Sequence, residues 1–413
     1  MPPMPIPYSK KSSSSRLLRA LLAGSGCGLL LQSPALRADE GDAFRYGGGA
    51  TVQYESNVFR RSDDSPAGAP SDTSFRGYGL LGFDKTWSRQ RFYGDFIFGR
   101  VHYAEFSELD YNRQDFNAGW KGNFPGNINT GLDWKQTQSL ANLSDLLVKR
   151  RNVITRDNID GTLDIPLVAN WHLLGGAGYQ QSRNSNDIDK VNDLNGVYGE
   201  GGARYLTNYG NQFDLVYREL HSEYVRRDTS ARVDTRYVER SADLRVRWAP
   251  TGNNSLEGFV GFVRREHETL DYRNFAGPSF RLSDTWTLGG STTLVTTIYR
   301  TMGAAGDSEF DYAVTKGLRI APTYQISAKM SLTGAFEWQD RRYFGSYSSE
   351  VLNLPNVASG RTYDDKTLEL GLNYQALRWL RTRLSYIGQR RDAQTALSEF
   401  SSHTVLLDAQ LSF

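Results

Sequence analysis

Residues 404–413 read Thr404-Val405-Leu406-Leu407-Asp408-Ala409-Gln410-Leu411-Ser412-Phe413, and their period is two. Val405, Leu407, Ala409, Leu411 and Phe413 fall on one side of an extended strand, and Thr404, Leu406, Asp408, Gln410 and Ser412 fall on the other. The apolar spacing of an amphipathic helix is missing. The same alternation returns along the chain. Ile128, Thr130, Leu132 and Trp134 oppose Asn129, Gly131, Asp133 and Lys135. Val238, Ala242, Leu244, Val246 and Trp248 oppose Glu239, Ser241, Asp243, Arg245 and Arg247. Leu332, Gly334, Phe336 and Trp338 alternate with Ser331, Thr333, Ala335 and Glu337. Leu368, Leu370, Leu372 and Tyr374 do so with Thr367, Glu369, Gly371 and Asn373. In Phe92, Phe96 and Phe98 the apolar face passes to Arg100, which predicts a bulge or phase slip there.

Short turn signals stand at residues 88–90, 124–127, 165–170, 207–211, 249–254, 283–284, 327–329 and 375–379. Between them lie longer polar stretches, such as 60–73, 141–152, 183–193, 227–234, 302–309 and 344–361. Counting both kinds of connection gives about 18 strands, with about 16 as the alternative. Short turns at one end and long loops at the other is the layout of an outer-membrane barrel.

Composition agrees. Aromatics make up 12% of the 413 residues, which excludes simple disorder. No apolar run is long enough for a spanning helix. The 48 basic and 46 acidic residues leave a net charge of +2, and no nucleic-acid partner is expected. Two features separate a membrane barrel from a soluble sandwich. Trp87, Trp120, Trp171, Trp248, Trp286 and Trp379 all lie near a short turn, as an interfacial girdle requires. Val405, Leu407, Ala409, Leu411 and Phe413 form a strand with a terminal aromatic, which looks like the signal read by the barrel assembly machinery. The expected fold class is therefore all-β: a transmembrane antiparallel outer-membrane β-barrel in the lipid bilayer of a Gram-negative cell.

The first residues read differently. Lys10, Lys11, Arg16 and Arg19 precede an apolar run from Ala20 to Leu31, then Pro34, Ala38 and the acidic pair Asp39-Glu40. This is the layout of a cleaved signal peptide over 1–38, followed by a single barrel over 39–413. The only cysteine, Cys27, falls inside that segment, so no disulfide is expected in the mature chain.

Little in the sequence carries catalysis. Gly77-Tyr-Gly79-Leu-Leu-Gly82 has glycine-loop spacing but sits in an alternating strand, not before a helix. His221-Ser222 lacks a third partner. The five histidines show no metal-ligand spacing. Neither enzyme activity nor a cofactor is expected. The informative bias is arginine over lysine. Arg204, Arg218, Arg245, Arg247, Arg319, Arg381 and Arg383 fall on polar faces by strand parity, with Glu200, Asp214, Asp243, Glu337 and Glu369. In a barrel these side chains line the lumen. Forked guanidinium donors suit carboxylates and sugar hydroxyls. The same residues also suit a ladder of cross-strand ion pairs that holds the wall and passes nothing specific.

The stretches Tyr54-Glu-Ser-Asn-Val-Phe59, Phe83-Asp-Lys-Thr-Trp87, Arg89-Gln-Arg-Phe92, Leu109-Asp-Tyr111, Phe116-Asn-Ala-Gly-Trp120 and Trp171-His-Leu-Leu-Gly-Gly176 together resemble the EpsL-like outer-membrane proteins of exopolysaccharide biosynthesis loci. The resemblance is densest from Tyr54 to Gly176. It implies passive export of a polysaccharide through the lumen, with periplasmic export partners. The alternatives are a general diffusion porin for small polar solutes and a structural barrel whose loops bind matrix.

Overall fold

Backbone groups of the last strand find partners on both sides, and this double pairing defines the architecture. In the computed structural model Phe400–Ser412 lies antiparallel to Leu380–Ala393 on one side and to Phe44–Glu55 on the other. The structure describes residues 43–62, 64–144, 150–227, 234–268, 270–304, 312–344, 361–394 and 398–413. The expected signal peptide, with Cys27, lies outside them.

The strands are β1 (Phe44–Glu55), β2 (Asp72–Trp87), β3 (Gln90–Tyr103), β4 (Tyr111–Phe124), β5 (Ile128–Leu140) and β6 (Val153–Pro166). Next come β7 (Trp171–Asn184), β8 (Leu194–Leu206), β9 (Gln212–Tyr224), β10 (Arg236–Thr251), β11 (Asn254–His267) and β12 (Phe275–Leu288). The last are β13 (Thr292–Ala304), β14 (Tyr312–Ser327), β15 (Met330–Phe344), β16 (Thr362–Leu377), β17 (Leu380–Ala393) and β18 (Phe400–Ser412). Each strand pairs with its neighbours in sequence, and β1 pairs with β18 to close an 18-stranded barrel. This is the higher of the two expected strand counts. Closure matters because lipid supplies no hydrogen bonds to an open strand edge.

Register carries a single parity around the wall. Arg204 stands opposite Asp214, Asp214 opposite Arg245, Arg245 opposite Phe259, Phe259 opposite Arg281 and Arg281 opposite Tyr299. That parity faces the interior. The other parity faces outward and is apolar: Leu215, Leu244, Phe262, Leu332, Leu370, Leu384 and Leu407 are all exposed. On β14 the outward row runs Ile326, Tyr324, Pro322, Ile320 and Leu318 before Lys316. At about 3.3 Å per residue and about 40° of tilt, Ile326 to Lys316 rises roughly 25 Å, the height of an outer-membrane apolar band. The closed barrel with this exterior is an outer-membrane protein.

The expected tryptophans gather at the short-turn end. Trp87, Trp171, Trp248, Trp286 and Trp379 are exposed there, and the outward-facing Trp120 donates its indole N–H to Gln90 at 2.8 Å. Phe413 stacks on Tyr46 at 5.5 Å and on Trp379 at 6.1 Å. Its backbone N–H donates to the Tyr46 carbonyl at 2.9 Å, so the terminal aromatic seals the outside of the closing seam.

Two expectations are corrected. Ser283-Asp284 is not a turn but lies inside β12. The turn follows at Gly289-Gly290, whose φ values of 57° and 78° favour glycine. Ser283 instead shares an inward hydroxyl contact with Thr297 at 2.8 Å, and Asp284 accepts from Asn254 at 3.2 Å. Nor does β3 slip phase. Its register with β2 and β4 is unbroken, and Arg100 simply faces outward above the apolar band, 3.9 Å from Asp110. Register shifts occur instead beside short turns, between Trp248 and Thr251, Gln325 and Ser327, and Gln375 and Leu377.

If this sidedness is right, Leu407→Arg puts a charge into acyl chains and destabilises the barrel by about 2–4 kcal/mol. The neighbouring inward change Leu406→Gln costs much less. Reversible folding into lipid vesicles, followed by urea titration, measures both.

Candidate functional site: the charged lumen

All the arginines and acids singled out from the sequence carry the inward parity. The wall brings some together and leaves others apart. Arg204 donates to Asp214 at 2.7 and 2.8 Å and to Asp164 at 2.5 Å. His172 holds the other Asp164 oxygen at 2.6 Å. Arg245 pairs with Glu200 at 2.9 Å, Arg247 with Glu257 at 3.5 Å, and Arg319 lies between Glu337 at 3.4 Å and Glu369 at 3.5 Å. These form the cross-strand ladder.

Arg218, Arg381 and Arg383 do not join it. Arg218 lies over the Tyr198 ring at 3.6 Å. Arg381 donates to Gln375 at 3.2 Å and Arg383 to Ser385 at 2.8 Å, and no carboxylate stands within ion-pairing distance of any of the three among the described residues. Asp243 is buried and accepts from the Ser241 hydroxyl at 3.3 Å. Three more inward arginines are likewise without an ion pair: Arg76, Arg156 and Arg281, the last at 5.0 Å from the Tyr299 ring. Along the strands these arginines form a staircase. Arg76 and Arg156 lie near the loop end, Arg218 and Arg281 near mid-height, and Arg381 and Arg383 near the short turns.

A second pattern explains why the lumen holds so many Tyr and Gly residues. Tyr198 lies flat across Gly178 on the next strand, and its hydroxyl donates to Asp160 one strand further. Tyr93 crosses Gly119 and donates to Asp133. Tyr299 crosses Gly317 and donates to Glu337 at 2.6 Å. A cation approaches each ring: Arg218, Arg281, and for Tyr93 both Arg91 at 5.3 Å and Lys121 at 5.2 Å. A methyl group on Gly178 or Gly119 would stand 2.5 Å from the tyrosine ring, so only glycine admits the flat ring. Sequence reasoning missed this module because it depends on which residues stand opposite one another.

Loops narrow the mouth at the loop end. Val58 and Phe59 after β1, Leu109 after β3, and Ala141 and Leu143 after β5 form one buried apolar cluster. Asn57 donates to the Ser401 carbonyl at 3.0 Å. Inward-facing Arg391 of β17 pairs with Asp365 at 2.6 Å and donates to the Ser144 carbonyl at 2.9 Å. The β5–β6 loop therefore reaches across to the β17 wall. Gly47, Gly48 and Gly49 belong to β1 and are part of the wall.

Other sequence features settle simply. Gly77 to Gly82 runs inside β2. His221 faces outward and contacts Glu219 at 2.8 Å, whereas Ser222 is buried on the opposite face, so they form no dyad. Val405, Leu407, Leu411 and Phe413 are exposed on the outward face, with Ala409 on the same parity.

No family model and no curated protein matches the chain. Solved structures do. The chain resembles a BenF-like porin from Pseudomonas fluorescens Pf-5, at TM-score 0.52 and 12% identity, covering 90% of this chain and 99% of that one. It resembles Pseudomonas aeruginosa OccK9 (OpdG) at TM-score 0.52 and 13% identity, with 90% and 99% covered. Pseudomonas aeruginosa OccK2 (OpdF) in complex with glucuronate gives TM-score 0.51 and 13% identity, with 90% and 98% covered. At these identities the likeness is one of fold.

Gly178→Ala should tilt the Tyr198 ring off the wall, break its bond to Asp160 and free Arg218. We expect a loss of about 1–3 kcal/mol, read by urea unfolding in vesicles. Gly199→Ala, an outward glycine with open space beside it, should be nearly neutral.

Proposed function

We propose that the protein is a passive porin for small polar solutes, with a preference for anions that carry carboxylates. One observation carries this reading: a staircase of arginines without ion pairs rises through a lumen in which Arg204, Arg245 and Arg319 are tied to carboxylates and Asp133, Asp160 and Asp243 are held by hydroxyls. Paired side chains gain little by meeting a solute, because they must first break their own bonds. Arg76, Arg156, Arg218, Arg281, Arg381 and Arg383 have donors to spare. A guanidinium binds a carboxylate in a planar fork, and successive weak sites let an anion enter and leave. A barrel of this strand number encloses space for an aqueous channel. The likeness to porins of Pseudomonas supports the same class.

Passage of a polysaccharide is the second reading. It rests on the EpsL-like resemblance, whose Tyr54–Phe59 stretch supplies Val58 and Phe59 to the cluster at the mouth. Unchanged secretion of polysaccharide after deletion of the gene would remove it.

Planar bilayers test the first reading. The wild-type barrel should conduct and favour chloride and glucuronate over potassium. Replacing Arg218, Arg281, Arg381 and Arg383 by Gln should lower the anion-to-cation permeability ratio by roughly fivefold or more, at about 1 kcal/mol per site partly shared. An unchanged ratio, or no conductance in the wild type, contradicts the proposal.

A further inference from the structure

The outward face of β14–β17 combines an apolar groove with a charged cluster above it. The groove has a volume of about 500 Å³. Its walls are Tyr324, Leu332, Leu370, Leu372 and Leu384, and Gly334 lies at its floor. All of these carry the outward parity, so the groove opens to acyl chains. Because Gly334 has no side chain, the row on β15 is interrupted between Leu332 and Phe336.

Toward the loop end the same strands turn charged. On β16 the outward row passes from Leu370 through Leu368 to Lys366, and on β17 from Tyr386 through Gly388 to Arg390. Lys366 bridges Asp364 at 3.2 Å and Asp392 at 3.0 Å, Arg390 contacts Asp392 at 2.9 Å, and Arg342 lies 3.5 Å from Asp340. Trp338 donates its indole N–H to Asp364 at 2.7 Å, as an interfacial tryptophan does. Lys316, beside them on β14, is exposed and without an ion pair among the described residues. The cations Lys316, Arg342, Lys366 and Arg390 thus outnumber Asp340, Asp364 and Asp392. The comparable outward cluster on β9–β11 has no such surplus, since Arg236, Arg240 and Arg264 are each matched by Glu223, Glu219 and Glu266.

We propose that the outward face of β14–β17 binds one acidic lipid of the loop-side leaflet. Its phosphate meets the unpaired Lys316 at headgroup level, beside Lys366 and Arg390, which share the single carboxylate of Asp392, and one acyl chain descends along the outward face into the groove over Gly334. The basic surplus selects a phosphate-bearing headgroup without a compensating cation. The groove selects a lipid over a free anion.

Native mass spectrometry of the mature, full-length barrel tests this, with phosphatidylglycerol and phosphatidylcholine added in turn. We expect one phosphatidylglycerol to be retained in preference to phosphatidylcholine. Lys366→Gln with Arg390→Gln should weaken that retention by about fivefold for each basic residue removed. Gly334→Leu should weaken retention of the acidic lipid while the headgroup cations remain. Both variants lie outside the lumen and should keep wild-type conductance, which separates loss of the site from misfolding. The more conservative Lys316→Gln repeats the headgroup test should the double variant fail to insert. Equal retention of the two lipids, retention unaffected by these substitutions, or displacement of phosphatidylglycerol by inorganic phosphate alone would each overturn the proposal.

Discussion

Everything in this barrel follows from the absence of hydrogen-bond partners in hydrocarbon. A strand that crosses lipid must pair both of its edges, and β18 does so only by meeting β1. Once that seam is closed, each residue is committed to water or to lipid by its parity. The terminal Phe413, packed against Tyr46 and Trp379, covers the seam where strand pairing stops.

Inside, the constraint changes character. Ionised groups around water can pair, stack or stay free at modest cost, and the wall uses all three. Arg204, Arg245 and Arg319 are fixed by carboxylates on adjacent strands. Arg218 and Arg281 rest on tyrosine rings that glycines allow to lie flat. Arg381 and Arg383 donate only to the neutral Gln375 and Ser385, so their remaining donors meet no carboxylate of the wall among the described residues.

Much of the fold was legible in the sequence, since a period of two is a local property. Alternation in 404–413, the turn signals and the tryptophans near them fix the class, the closure and the sidedness. Ser283-Asp284 misled because turn-forming residues also serve inside strands when their side chains find partners. Arg100 misled because parity alone carries no height: an arginine on the apolar face is tolerated above the band. The site was half legible. Parity put Arg218 and Arg204 on one face alike, but only register shows that Asp214 stands opposite Arg204 while Tyr198 lies under Arg218. The flat tyrosines were beyond reach for the same reason, since Gly178 and Tyr198 become neighbours through strand pairing.

The sidedness of the wall can be measured directly, because the sole cysteine, Cys27, lies in the expected signal peptide. Single cysteines placed along β9, at 213–218, can be probed with a charged, membrane-impermeant maleimide in vesicles. Strict alternation is predicted, with positions 214, 216 and 218 reacting from water and positions 213, 215 and 217 protected by lipid. Uniform labelling, or labelling of the opposite set, would contradict the inward placement of the arginines.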